Sequence, residues 1–151
     1  MLTEEEVYNG TKNWLLNNGF SILAGQPPRG VDHLPVIEIK NPTGEKGSRD
    51  AYKPDLVAYK DEMFFIIECK PKYDLGDDIK LHNVLSSQDR LFFLYRELRQ
   101  YKLLAKINYD EPFEIFSTHV NAMLANSESY NATCELKQLI VQSWLGEAII
   151  Y

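Results

Sequence analysis

Apolar residues recur along this chain first at helical spacing and then at strand spacing. Thr3 reads as a helix N-cap followed by three acidic residues, Glu4, Glu5 and Glu6, in the first turn. Val7, Thr11, Trp14 and Leu15 follow at helical spacing, and Asn17-Asn18-Gly19 is a stop signal. The run FSILA at 20–24 predicts a strand, and the prolines of the next loop exclude a central strand there. VIEIK at 36–40 alternates apolar and charged residues, as a half-exposed strand does. A polar, glycine-containing loop follows, up to Lys53. Pro54-Asp55 then opens a strand through Leu56-Val57-Ala58-Tyr59, Lys60-Asp61-Glu62 makes a turn, and Met63 to Lys70 forms a second strand.

Beyond an exit loop at 71–76 the pattern predicts one long helix over 77–101. Its inward stripe is Asp77, Leu81, Val84, Gln88, Phe92 and Tyr95. EPFEIFSTH at 111–119 predicts a further strand, with Met123 and Leu124 either extending it or opening a helix. A last helix is expected over 133–145 on Leu136, Leu139, Ile140, Ser143 and Trp144, ended by Gly146. The apolar tail at 148–151 suits an edge strand or a subunit contact. The sum is one α/β domain spanning 1–151, with a central mixed β-sheet flanked by helices.

The chemistry gathers at the hairpin of residues 54–70. Side chains on a strand alternate faces, so Glu68 and Lys70 point one way and Cys69 the other. A hairpin can bring Asp55 beside Glu68 and Lys70. Two adjacent carboxylates repel unless a cation lies between them. Hard oxygen ligands suit Mg²⁺, which binds through one or two carboxylates and keeps several waters.

Pro54-Asp55, a spacer and Glu68-x-Lys70 resemble the signature of the PD-(D/E)xK nucleases, which share a restriction-endonuclease-like fold. The resemblance implies that Asp55 and Glu68 are Mg²⁺ ligands, with Mn²⁺ able to substitute, joined by the Cys69 carbonyl. It implies that Lys70 supports the attacking water. Many members carry a first-helix glutamate that reaches the metal, for which Glu4 comes first and Glu5 second; the ordinary alternative is that both serve the helix dipole. Arg49, Lys53 and Lys72 become phosphate contacts; a solvated charged loop is the plain reading of Arg49 and Lys53. Gln88 becomes a supporting residue on the following helix, and Lys80 a weaker one; a buried amide bonded to backbone is the plain reading of Gln88.

The activity expected is Mg²⁺-dependent DNA endonuclease, of restriction or homing type or a catalytic subunit of such an enzyme. A junction resolvase or repair nuclease of the same fold is the near alternative, and a non-catalytic DNA- or protein-binding domain the more distant one. A net charge of −6 over 151 residues argues against a strong nonspecific grip on DNA. A homodimer or a partner subunit is therefore expected to complete the binding surface. Cys69 and Cys134 have no metal-ligand spacing, and no apolar run reaches membrane-spanning length. The acidic start lacks the apolar core of a signal peptide, so a reduced, cytoplasmic setting is the expectation.

Overall fold

The computed structural model describes residues 1–30, 32–40, 51–128 and 130–151. Its centre is a six-stranded mixed sheet in the order β1-β2-β3-β4-β5-β6. The strands are β1 (Ser21–Gly25), β2 (Leu56–Lys60), β3 (Met63–Cys69), β4 (Val120–Asn126), β5 (Lys137–Val141) and β6 (Ala148–Ile150). β2 runs antiparallel between β1 and β3; β3, β4 and β5 run parallel, and β6 returns antiparallel as an edge. The helices are α1 (Glu4–Asn17), α2 (Leu75–Leu85), α3 (Gln88–Gln100), α4 (Leu103–Lys106) and α5 (Phe113–Phe116).

α1 begins where its sequence dictates. The Thr3 hydroxyl accepts from the Glu6 amide at 3.1 Å, and Glu6 Oε1 accepts from the Thr3 amide at 3.0 Å. This reciprocal pair satisfies two N–H groups at the helix start. α1 lays Val7, Tyr8 and Leu15 on one sheet face, against Leu56, Ile67, Cys69, Met123 and Leu139. Tyr8 donates to Asp32 at 3.1 Å, and Lys12 pairs with the same carboxylate, so the loop after β1 is tied to the helix.

α2 and α3 cover the opposite face with Leu81, Val84, Leu91, Leu94 and Leu98, over Val57, Phe64, Ile66 and Leu124. Phe64, Tyr109 and Phe116 extend this core as an aromatic cluster, with the Phe64 ring 4.9 Å from Tyr109 and 4.8 Å from Phe116. Because both faces are covered, β3 is buried without a break from Phe64 to Cys69. Such a strand reads as a continuous apolar run.

Four expected elements differ. The single helix over 77–101 is two helices, broken at Ser86-Ser87. The Ser87 hydroxyl accepts from the Arg90 amide at 3.2 Å and starts α3 afresh. The break resets the helical phase, leaving Gln88 and Phe92 exposed while Leu91, Leu94 and Leu98 turn inward. EPFEIFSTH holds the short helix α5 instead of a strand. Pro112 at its N-cap donates no hydrogen bond, and Phe116 is buried one turn on.

The expected helix over 133–145 contains strand β5. Leu136, Leu139 and Ile140 fit either period, and pairing with β4 decides the matter. At 36–40 the chain makes one bridge, Ile39 with Tyr52, in place of a strand; Ile37 and Ile39 are buried. The edge-strand reading of the tail holds, as β6. No helix among the described residues is long and apolar enough to cross a membrane.

Candidate metal site at the open end of the hairpin

The β2–β3 ladder pairs Leu56 with Ile67, which sets Asp55 opposite Glu68 on the next rung. The turn that fixes this register is Asp61-Glu62, with both residues at positive φ (51° and 69°). Asp55 is held on each side by backbone. Its carbonyl accepts from the Gln26 amide at 2.8 Å. Its amide donates to Glu68 Oε2 at 3.2 Å, and its own Oδ2 accepts from the Cys69 amide at 2.8 Å. Two carboxylates therefore sit side by side at the end of the central strands, with Glu68 only 5% exposed.

The electrostatics follow from that burial. Loss of water, then the Asp55 carboxyl beside it, then the charge of Asp77 push the Glu68 carboxyl up to about 9, with Lys80 pulling weakly the other way. Burial also raises Asp55, opposed by its contacts with Glu68 and the Cys69 amide. Without a cation the pair keeps a proton that ordinary carboxylates give up.

Lys70 leaves β3 on the same side. Its amide donates to Ala125 of β4 at 3.0 Å, and its carbonyl accepts from the buried Asn126 side chain at 2.9 Å. Asn126 also holds the Lys72 carbonyl at 3.0 Å, and the Ser127 amide holds Pro71 at 2.9 Å. The Lys70 ammonium lies 2.9 Å from Asp74 and 3.2 Å from Asp77, not against Asp55 or Glu68. Burial works against its charge, but hydrogen bonds to Asp74 and then Asp77 outweigh this and raise its pKa above the ordinary lysine value. Among the described residues, the lysine paired with Glu68 is Lys80, 3.6 Å from Glu68 and 3.6 Å from Asp77. Asp77, itself buried, thus bridges both ammonium groups.

The remaining sequence candidates fall as follows. Glu4 and Glu5 are exposed in the first turn of α1, a helix that covers the face opposite the α2 side. Neither forms an ion pair among the described residues, and the glutamate with a hydrogen-bonded role there is Glu6. Lys53 and Lys72 are exposed on either side of the hairpin end. Arg49 lies outside the described residues. Gln88 is exposed at the first position of α3, so its placement on an inward stripe is corrected. The Cys69 thiol is buried against α1. Asp77 and Asn126 take part in this arrangement although sequence reasoning gave them no role there. Asp77 stood only in a helical stripe, and Asn126 was not singled out.

Among the described residues no group of three or more His, Cys, Asp or Glu side chains could hold a metal ion. The site's donors are a pair, Asp55 and Glu68. A buried pair of hard carboxylate oxygens fits Mg²⁺, whose other positions would be filled by water or phosphate. No family model, no curated protein and no solved structure matches this chain.

Proposed function

We propose that this chain is a Mg²⁺-dependent DNA endonuclease of the PD-(D/E)xK type, in which Asp55 and Glu68 hold the ion. The carrying observation is the Asp55–Glu68 pair: two carboxylates brought together by backbone hydrogen bonds, burial-raised, with Lys80 beside Glu68. The element order supports the reading: a helix, three antiparallel strands, helices and a parallel fourth strand are the order expected of such a fold.

A bound divalent ion supplies Lewis-acid charge at a phosphodiester. Asp55 and Glu68 would hold it, with the Cys69 carbonyl, next to Glu68 in the chain, as a further oxygen donor. Lys70, kept cationic by Asp74 and Asp77, orients the attacking water or offsets charge building on the phosphate. Lys80 adds a second positive charge on the same side. Exposed Lys53 and Lys72 contact the backbone phosphates. The acidic whole, at −6, leaves DNA affinity to be shared with a second copy or a partner subunit.

Supercoiled, linear and branched DNA incubated in parallel with Mg²⁺ or Mn²⁺ tests the reading. Metal-dependent cutting that disappears in Asp55→Ala and Lys70→Ala supports it. Fixed linear products point to a restriction-type enzyme, and selective cutting of branched DNA to a resolvase. No cutting of any form, or cutting indifferent to Asp55, overturns it.

A further inference from the structure

Tyr52 sits two residues before Pro54-Asp55 and is pinned by its bridge to Ile39. The Ile39 amide donates to the Tyr52 carbonyl at 2.7 Å, and the Tyr52 amide donates back at 2.8 Å. The side chain is turned inward and is 6% exposed. Its hydroxyl has no hydrogen-bond partner among the described residues. Buried tyrosine hydroxyls are normally paired, because an unmade hydrogen bond in a dry site is costly.

The surroundings of this hydroxyl are the candidate metal site. The Lys80 ammonium lies 5.2 Å from the Tyr52 ring centroid and 3.6 Å from Glu68 Oε1, so the ring and the carboxylate share one cation. A phenol O–H is a hydrogen-bond donor, and the carboxylates beside it are acceptors. Glu68 is engaged with the Asp55 amide and Lys80, and Asp55 with the Cys69 amide.

We propose that Tyr52 is a positioning residue for the divalent ion, its hydroxyl donating to the Glu68 carboxylate and fixing the orientation in which Glu68 and Asp55 take the metal. This rests on the ion site proposed above. It extends that site by a residue that does not touch the ion and acts only through a ligand. Groups that orient metal ligands in this way change affinity by about 10–100-fold.

Tyr52→Phe keeps the ring, its packing and the surface under Lys80, and removes only the hydroxyl. Calorimetric titration of the full chain with Mn²⁺, paired with thermal melts of the metal-free protein, makes the test. The expected result is Mn²⁺ affinity weaker by about tenfold or more, with the metal-free Tm unchanged or slightly higher. Wild-type affinity in Tyr52→Phe overturns the proposal and leaves Tyr52 a packing residue. Weaker affinity accompanied by a lower metal-free Tm also overturns it, since the loss is then structural. A wild-type chain that binds no Mn²⁺, or binds it equally in Asp55→Asn, removes the ion site itself and Tyr52 with it.

Discussion

The Asn126 side chain donates to the Lys70 carbonyl at 2.9 Å, joining the end of β4 to the exit of β3. A second bond to the Lys72 carbonyl at 3.0 Å makes this one amide the strap of the exit loop. Asn126 is 3% exposed, so its loss leaves two carbonyls in a dry site. Asn126→Ala is expected to lower stability by about 1–3 kcal/mol, measured by urea denaturation. DNA cleavage should fall as well, because Lys70 loses its anchor. An unchanged denaturation midpoint would show that the loop is held elsewhere.

Stability of the metal-free protein should depend on pH through Glu68. Its folded-state carboxyl is raised from 4.5 to about 9. Between those values the unfolded chain has released the proton while the folded chain keeps it. Stability is then fullest below the unfolded value and declines as pH rises through the window, by at most about 1.4 kcal/mol per pH unit for one group. Melting curves recorded from pH 5 to 9 should show this decline. In Glu68→Gln the slope should be shallower, and an identical slope would assign the effect to other groups.

The hairpin turn carries removable strain. Asp61 and Glu62 adopt φ of 51° and 69°, the left-handed geometry of a two-residue turn that favours Asn-Gly. Glu62→Gly should raise stability by about 0.5–1 kcal/mol, despite losing the exposed 3.3 Å bond from Tyr59 to Glu62. The same variant leaves the register at Asp55 and Glu68 intact, so metal binding should not change. A lower Tm would argue against this turn geometry.

Gly10 should behave in the opposite way. In a helix, Gly→Ala ordinarily stabilises. Here an added Cβ would come within 2.5 Å of Val141 Cγ1 and 2.6 Å of the Ser143 carbonyl. One of those is backbone and cannot swing aside. Gly10→Ala should therefore cost about 1–3 kcal/mol through overpacking of α1 on β5, read from chemical denaturation. A stabilised variant would contradict the close contact.

Legibility of the sequence followed how local each signal is. The capping residue of α1, its stop at Asn17-Asn18-Gly19 and the hairpin around Asp61-Glu62 depend on neighbours in the chain, and all could be read. The helix break at Ser86-Ser87 was local too, but Ser87 competes for its own backbone without disturbing the apolar period around it. Strand β5 was missed because Leu136, Leu139 and Ile140 satisfy both periods until β4 lies beside them. At the site, the Asp55–Glu68 juxtaposition was visible because a hairpin fixes it. The partners of Lys70 were not, since Asp74 and Asp77 come from the following helix start and Asn126 from a strand more than fifty residues on.

The account turns on one divalent ion replacing a proton between Asp55 and Glu68. Calorimetric titration of Mn²⁺ near pH 7, in buffers of different ionisation enthalpy, counts both the ions bound and the protons released. One ion per chain is predicted, with release of about one proton, and both should be lost in Glu68→Gln. Binding that persists in Glu68→Gln, or no binding in the wild-type chain, would contradict it.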